Sequence, residues 1–264
     1  MADPTFTRAI VRRPSENFAA GLTSAQSGPP DVAKALQQHE RYCDALRGCG
    51  LEVTIIDAAP DYPDGTFVED TAIVTPRGAV VTRPGAESRR GEVESVAPAL
   101  RKFFGHVQQI TAPGTVDGGD VCEADGHYLI GLSQRTNEEG ARQLAEHLRH
   151  MHYTASVVDV RGSPALLHLK SGISYLGAGR WVAAQEVRGT FESWSGLPVR
   201  ELIVAQTPES YAANCVRIND AVLVPEGYPR IAAQLRDKGY KPLPLEVSEF
   251  RKMDGGLSCL SLRF

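Results

Sequence analysis

The sequence predicts an α/β fold in which short β-hairpins alternate with amphipathic helices. The first observation behind this prediction is a series of β-like runs that are paired across tight turns. The second is their spacing, because the polar residues that open four of them, Asp70, Asp120, Ser171 and Asn214, follow one another after 50, 51 and 43 residues. A repeat of this length favours a radial array of similar units over a linear sheet. The alternative is a mixed α/β sheet in which the hairpin spacing is a coincidence.

Each predicted hairpin joins two short β-like runs through a turn that contains Gly, Asp or Asn. The four hairpins cover residues 70–82, 119–131, 172–184 and 215–224. A further run, residues 257–262, has its predicted partner near the N-terminus, in residues 7–12. If both ends of the chain share a fifth unit, the array closes into a ring without exposed strand edges.

Four stripes of apolar residues at three- and four-residue steps predict the helices. The first stripe follows Asp31 over residues 32–46 and is stopped by Gly50. The other stripes cover residues 93–103, 141–148 and 231–235. Residues 136–139 match a capping box ahead of the third stripe, and Pro229 stands at the first turn of the fourth.

Length and charge restrict the classes of protein to which this chain can belong. Its 264 residues suffice for one large domain or two small ones. A hydrophobic fraction of 42% and a charged fraction of 23% are typical of a globular protein. The formal net charge of −4 and the pI near 6.0 give no electrostatic reason to expect a nucleic acid or an anionic membrane as a partner.

Targeting signals and cysteines indicate the compartment. The sequence predicts neither a signal peptide nor a membrane span. The five cysteines are odd in number and include no Cys-x-x-Cys pair and no zinc-finger spacing. We therefore expect a reduced protein of the cytoplasm with at least one thiol that is free to react.

Several carboxylates lie beside hydrophobic β-like segments, where an unpaired charge is costly. They are Asp64, Glu69, Asp70 and Asp117. Carboxylates that share a cleft need a cationic partner, but no Asp-x-Asp or His-x-x-x-His pattern supplies a convergent set of metal ligands. A guanidinium group fits better, because its planar fork pairs with carboxylates through two hydrogen bonds. The alternative is a set of solvated turn residues, which is our interpretation of Asp61.

Cys259 and His168 belong to residue types that act in nucleophilic catalysis. Cys259 comes shortly after a pair of glycines, which allow a backbone and a ligand to approach closely. A cysteine among leucines is nevertheless more often a small buried hydrophobe. His168 stands between two leucines, where a core histidine is the more common outcome. The residues alone leave both interpretations open.

Seven segments along the chain form a recognisable pattern: FVEDTAIV, TRPGAESRRGE, GTVDGGDV, GLSQRTNEEGARQL, LHLKSG, ESYAANCVRIND and MDGGLSCLSLRF. In this order they resemble the dimethylarginine dimethylaminohydrolases, the bacterial form especially. The resemblance runs from Gly21 to Phe264. It implies the pentein fold, a five-bladed α/β propeller of ββαβ units around a central active-site channel, as a single catalytic domain over residues 1–264.

The resemblance also implies a chemistry, the hydrolysis of Nω-methylated arginine to citrulline and a methylamine without a metal or an organic cofactor. By resemblance, Cys259 is the nucleophile that forms a covalent thiouronium intermediate, and His168 is the general acid and base. Asp117 supports the histidine and the guanidinium; some relatives have Glu at this place. Because the acids make the empty pocket negative, we expect the Cys259 thiol to stay protonated until the cationic substrate binds.

Seven further residues are implied to bind the substrate. The resemblance assigns Asp64, Glu69 and Asp70 as substrate-binding acids, Arg89 and Arg135 as the clamp for the α-carboxylate, and Leu22 and Met253 as donors of backbone carbonyls. The side chain at the position of Met253 varies among relatives.

Two other functions use the same set of residues. An arginine deiminase releases ammonia instead of a methylamine, but such enzymes generally carry an extra helical insertion and are longer. A non-catalytic arginine-binding regulatory protein needs no nucleophile, so the intact Cys259, His168 and Asp117 disfavour it. The expected partner is therefore a small-molecule substrate and not a nucleic acid or a membrane, and the family suggests a homodimer.

Overall fold

Five three-stranded sheets of one design make up the computed structural model, which describes residues 5–163, 166–194 and 199–264. In each sheet the middle strand pairs antiparallel with one neighbour and parallel with the other. The strands are β1 (Arg8–Arg12), β2 (Glu52–Ile56), β3 (Ala72–Thr75), β4 (Gly78–Val81), β5 (Val107–Gln109), β6 (Val121–Ala124), β7 (His127–Leu132), β8 (Thr154–Asp159), β9 (Ile173–Gly177), β10 (Arg180–Ala184), β11 (Glu201–Ala205), β12 (Val216–Ile218), β13 (Ala221–Pro225), β14 (Lys241–Leu245) and β15 (Leu262–Arg263).

Each parallel pair is joined through a helix, so every sheet and its crossover form a ββαβ unit. The helices are α1 (Val32–Gly48), α2 (Val93–Arg101), α3 (Glu138–His150), α4 (Leu169–Gly172), α5 (Arg188–Ser193), α6 (Pro229–Asp237) and α7 (Ser248–Arg251). The crossovers contain α1, α2, α3, α5 and α6, whereas α4 and α7 are single turns outside them.

The two ends of the chain complete the fifth unit together. Strand β15 runs antiparallel to β1, with Ala9 opposite Arg263 and Ile10 opposite Leu262. Strand β1 in turn runs parallel to β2 over its whole length. The predicted sharing of a fifth unit is therefore confirmed, and the alternative of a single mixed sheet is wrong.

One helical turn precedes the first strand of every unit. We call these five segments the central turns: Val68–Thr71, Gly118–Asp120, Leu169–Gly172, Ser210–Ala213 and Ser258–Leu260. The sequence predicted no turns here: its β-like runs overlap the ends of the first three central turns and cover the whole of the last, where residues 257–261 precede the strand. A turn of three or four residues has no periodic pattern, and its conformation is decided by contacts with the neighbouring units.

The four predicted helices are present, and α1 and α3 begin at side-chain caps. The Asp31 side chain accepts a hydrogen bond from the Lys34 backbone N–H at 3.0 Å and begins α1. Asn137 begins α3 by accepting from the Gly140 backbone N–H at 2.8 Å. The predicted capping box is wrong in its first residue, because the Thr136 hydroxyl points inward and donates to Asp120. The short α5 was not predicted, since its six residues carry no apolar stripe.

Apolar packing holds the helices on the sheets. Tyr42 and Leu46 of α1 are fully buried in one cluster with Ala9 of β1. In the largest cluster Trp181 is fully buried, with its ring 4.7 Å from Tyr175 and 5.3 Å from that of Phe191 between centroids. Each of the first four central turns, in contrast, has buried charged or amide side chains within it or directly beside it: Glu69, Asp70, Asp117, Asp120, His168, Glu209 and Asn214. This distribution marks the centre of the ring as the place to look for a functional site.

Candidate active site

The central turns bring together the residues predicted to carry the chemistry. Asp70 lies within its turn, Asp117 and His168 stand directly before theirs, and Cys259 lies within the last one. One carboxylate oxygen each of Asp70 and Asp117 and one ring nitrogen of His168 all lie within 4.8 Å of one another. Residues from three separate units thus meet in one buried cluster, and the turn of Cys259 lies beside that of Asp70.

Asp117 holds the imidazole of His168. Its Oδ2 lies 3.0 Å from His168 Nε2, and its Oδ1 accepts from the Gly85 backbone N–H at 2.8 Å. Burial disfavours the charged imidazole, but the carboxylates of Asp70, Asp120 and Asp117 outweigh it and raise the pKa of His168 to about 9. His168 is therefore an imidazolium at neutral pH and can give a proton to a leaving group.

The paired glycines after Asp117 allow this cluster to form. A Cβ at Gly119 would lie 2.8 Å from His168 Nδ1 and 3.0 Å from Asp70 Oδ1. The Gly119 backbone N–H donates to that same Asp70 oxygen at 2.9 Å. A Cβ at Gly118 would lie 1.9 Å from a backbone oxygen of the first central turn. These glycines are needed because neighbouring turns touch there.

Arg89 stands behind Asp70. Its Nη1 donates to Asp70 Oδ2 at 2.7 Å, while Nε and Nη2 donate to the two carboxylate oxygens of Glu92 at 2.8 and 2.9 Å. Burial disfavours the charge of Asp70, but His168 and Arg89 outweigh it and lower the pKa of this carboxyl. The sequence did not indicate Glu92, although its place three residues after an arginine could have suggested the pair.

Arg135 differs from Arg89, because its guanidinium has an unused donor. Within the described parts of the chain, its buried Nη1 has no hydrogen-bond partner. Its loop is fixed, since the Arg135 backbone N–H donates to Ser133 Oγ, which donates to Asp120 Oδ2 at 2.6 Å. A buried guanidinium N–H without a partner favours an anionic ligand group at this point.

Leu22, Asp64 and Met253 meet beside Gly21. Both carboxylate oxygens of Asp64 accept from the Leu22 backbone N–H, at 3.1 and 3.0 Å. A Cβ at Gly21 would lie 2.4 Å from Asp64 Oδ1 and 3.1 Å from Met253 Cε. The Leu22 side chain is 44% exposed, whereas Asp64 and Met253 are buried. These three predicted residues therefore lie side by side at the boundary between the surface and the interior.

Glu69 is engaged by protein groups on both of its oxygens. Oε1 pairs with Lys170 Nζ at 2.7 Å and with Arg263 Nη2 at 3.3 Å, and Oε2 accepts from Ser258 Oγ at 2.9 Å. The contact with Ser258 places this carboxylate against the turn that carries Cys259. The sequence singled out Glu69 but not its partners, which come from distant parts of the chain.

The thiol of Cys259 is held in its neutral form. The residue is half-buried, and burial together with the carboxylates of Glu69 and Asp70 raises the pKa of the thiol to about 12. This direction agrees with the expectation that the free enzyme holds a thiol and not a thiolate. A positive charge bound near these carboxylates would reverse the effect.

Asp120 is a buried residue that the sequence placed at the start of a hairpin but did not indicate as part of the site. Its Oδ1 accepts from the Leu169 backbone N–H at 3.0 Å, directly after His168. Its Oδ2 accepts from Ser133 and Thr136 at 2.6 and 2.7 Å. Asp120 thus ties the turn after His168 to the loop of Arg135. Its position three residues after Asp117 in a Gly-rich segment was the available signal.

Within the described residues, one group of side chains is close enough together to hold a metal ion: Asp70, Asp117 and His168. Their facing atoms already bind one another and protein donors, above all His168 Nε2 with Asp117 and Arg89 with Asp70. A metal would have to break the Asp117–His168 contact. The expectation of a reaction without metal or cofactor stays a prediction.

Comparison with known proteins places this arrangement in one family. The family model described as N,N dimethylarginine dimethylhydrolase, eukaryotic, matches residues 22–187. The N(G),N(G)-dimethylarginine dimethylaminohydrolase of Pseudomonas aeruginosa is 43% identical over 98% of this chain and all of the relative.

Solved structures of this family superimpose closely. The Pseudomonas aeruginosa enzyme, as a cysteine-to-serine mutant complexed with citrulline, matches with a TM-score of 0.92 and 42% identity over 99% of this chain and all of that one. A histidine-to-glycine variant of a dimethylarginine dimethylaminohydrolase, an adduct with S-methyl-L-thiocitrulline, matches with a TM-score of 0.92 and 42% identity over 98% of this chain and all of that one. The ring of five ββαβ units is thus the pentein fold, and the chain belongs to the dimethylarginine dimethylaminohydrolase family.

Proposed function

We propose that this chain hydrolyses Nω-methylated arginine to citrulline and a methylamine through a thiouronium intermediate on Cys259. The observation that carries the proposal is the contact of 3.0 Å between Asp117 and His168, which lies beside Asp70, whose turn neighbours that of Cys259. The family membership supports it, since the similar Pseudomonas aeruginosa enzyme binds citrulline as a mutant that lacks a cysteine.

The buried carboxylates select a cationic substrate. Asp70 and Asp117 are held in fixed positions by Arg89, Gly119 and Gly85. Their oxygens can bind a guanidinium group and orient its central carbon towards sulfur. The substrate brings its own positive charge, which lowers the pKa of the Cys259 thiol as it binds.

The other end of the substrate is an amino acid. The unpartnered Nη1 of Arg135 supports its role as the clamp for the α-carboxylate. Arg89 fits this role less well, because its nitrogens already bind Asp70 and Glu92. We propose instead that Arg89 keeps Asp70 ionised. Asp64, with the backbone of Leu22, fits the α-amino group.

The bond changes follow from these positions. As the cation binds, the thiol of Cys259 loses its proton to solvent, since His168 is already protonated. The thiolate then adds to the guanidinium carbon and forms the C–S bond of a tetrahedral adduct. His168 gives its proton to the methylated nitrogen, the C–N bond breaks, and the amine leaves. Water adds to the thiouronium carbon and leaves a proton on the now neutral His168. The C–S bond then breaks, citrulline forms, and the hydroxyl proton of the adduct returns the Cys259 thiolate to the thiol.

The proposal extends to the domain organisation, the compartment and the assembly of the protein. All five units contribute to the ring, which supports one catalytic domain over residues 1–264. Within the described residues, no helix has the length and apolar character needed to cross a membrane. A place in the cytoplasm and a homodimer stay predictions.

Cys259→Ser should abolish turnover while leaving substrate binding largely intact, because a serine hydroxyl is a weak nucleophile at neutral pH. Citrulline, ammonia and methylamine should be measured from dimethylarginine and from arginine side by side. Cys43→Ala, on α1, is the matched control and should keep its activity at a cost of about 1–3 kcal/mol in stability. Substantial residual turnover by Cys259→Ser would exclude Cys259 as the nucleophile, and faster turnover of arginine would favour a deiminase.

Arg135→Ala should raise the KM for dimethylarginine by about ten- to a hundredfold, because a charge-assisted pair with the α-carboxylate is lost. Turnover of N,N-dimethylguanidine, which has no amino-acid end, should not change. Arg142→Ala, on the exposed face of α3, is the control. An equal loss of rate towards both substrates would show that Arg135 is structural.

Asp120→Asn should move the alkaline limb of kcat/KM to lower pH. In the free enzyme His168 has a pKa of about 9, so a step that needs its proton should slow as the pH rises through that value. Removing one of the three carboxylates that raise this pKa should shift the limb by about one pH unit. The amide oxygen can still accept from Leu169. If the alkaline limb does not move, the loss of rate at high pH is not caused by the titration of His168.

A guanidinium ligand that cannot be hydrolysed should lower the pKa of the Cys259 thiol, which burial, Glu69 and Asp70 raise in its absence. The measurement is thiolate absorbance against pH, with Cys259→Ser to subtract the other cysteines. A thiol pKa well below neutrality with and without ligand would instead indicate a resting ion pair with His168.

A further inference from the structure

Side chains at the central turns connect each unit to another around the ring. Asp70 accepts from the Gly119 backbone N–H at 2.9 Å, and Asp120 accepts from the Leu169 backbone N–H at 3.0 Å. Asn214 repeats this contact in the fourth unit. Its Oδ1 accepts from the Ser258 backbone N–H at 3.0 Å, directly before Cys259. The fourth unit supplies none of the groups assigned to the chemistry. It contributes the amide of Asn214 at the position where the first two units have Asp70 and Asp120.

The amide of Asn214 contacts two turns at once. Its Nδ2 donates to the backbone oxygen of Lys170 at 2.9 Å and to Ser258 Oγ at 3.0 Å. Lys170 comes two residues after His168, and Ser258 comes one residue before Cys259. A single side chain, 4% exposed, therefore holds the backbone beside both reacting groups. An amide is required, because a carboxylate accepts but does not donate.

Asn214 packs so closely against the segment before Cys259 that residue 256 has to be a glycine. A Cβ at Gly256 would lie 2.5 Å from Asn214 Oδ1 and 2.7 Å from its Cγ. Gly256 is thus needed to make room for the Asn214 side chain, which occupies the space that a Cβ would take.

Glu69 closes the connection into a loop of four residues. Ser258 Oγ donates to Glu69 Oε2 at 2.9 Å, and Glu69 Oε1 pairs with Lys170 Nζ at 2.7 Å. Lys170 then returns to Asn214 through its backbone oxygen. Every link is buried or half-buried, so water competes weakly for it.

We propose that Asn214 is a positioning residue for the reaction, which sets the placement of the Cys259 sulfur relative to the His168 imidazole. It acts by fixing the two turns that carry them and does not touch the substrate. This inference rests on the proposed function, because the effect is expressed as turnover of methylated arginine.

The test compares Asn214→Ala with Asn219→Ala. Asn219 makes the same number of side-chain hydrogen bonds, to the backbone of Phe6 and Cys49, in the same unit but away from the central turns. Its φ of +52° adds strain for alanine, so this control should lose at least as much stability. Thermal unfolding of both variants gives that comparison.

The kinetic result distinguishes positioning from stability. Asn214→Ala should lower kcat for dimethylarginine by about ten- to a hundredfold, since a shift of about 1 Å between reacting groups has such an effect. Its KM should stay within about threefold, because Arg135 and Asp64 are untouched. Asn219→Ala should keep the kcat of the wild type. Equal kcat values for the two variants at a temperature where both are folded would overturn the proposal.

Asn214→Asp provides a second variant of the same shape, in case the alanine variant does not fold. Its carboxylate can accept from Ser258 but donates only when protonated. The ratio of its kcat to that of the wild type should therefore rise as the pH falls. A ratio near one at all pH values would overturn the proposal. A wild type that releases no citrulline would contradict the proposed function itself, whereas an active wild type with an unaffected Asn214→Ala would contradict the positioning role alone.

Discussion

The pairing of the two ends of the chain is the constraint on which the site depends. The backbone N–H groups of Thr7 and Arg8 both donate to the oxygen of Phe264, at 2.9 and 2.8 Å, and β15 lies beside β1. The turn of Cys259 comes immediately before β15, so this pairing decides where the nucleophile stands. Without it the ring has four units and a gap at the point of reaction. In that case the acids and the histidine of the other units would have no thiol beside them to activate.

Buried charge is the second element of the design. Glu69, Asp70 and Asp117 are removed from water, and each is neutralised by a different neighbour rather than by solvent. Such groups are costly unless they are paired and hydrogen-bonded, and the glycines after Asp117 and the hydroxyl of Ser258 allow or supply these contacts. Carboxylates of the cluster raise the pKa of His168, and burial together with Glu69 and Asp70 raises that of the Cys259 thiol. Proton donor and nucleophile are therefore both protonated before the cation arrives.

Much of the fold could be predicted, because its signals are local. Hairpins and helices show a period of two or about four residues, and their repetition indicated a ring. The central turns could not be predicted, since segments of three or four residues have no period and are decided by contacts across units. For the same reason the acids of the site were found, but the partners of Glu69 and the contacts of Asn214 were not. Lys170 meets Glu69 across 101 residues, and Asn214 meets Ser258 across 44. The Arg89–Glu92 pair, in contrast, had a local spacing that could have revealed it.

The fifth unit also has a consequence for folding. In the other four units a tight turn joins the antiparallel strands, whereas Ile10 and Leu262 pair across nearly the whole chain. Such non-local pairing raises contact order and slows folding, although the entropy of closing a loop grows only slowly with its length. The topology is circular, and the break in the chain falls where a hairpin loop would otherwise be. Joining the two ends and opening the chain at another hairpin would make this pairing local, so a circular permutant should assemble the nucleophile early with every contact of the site unchanged.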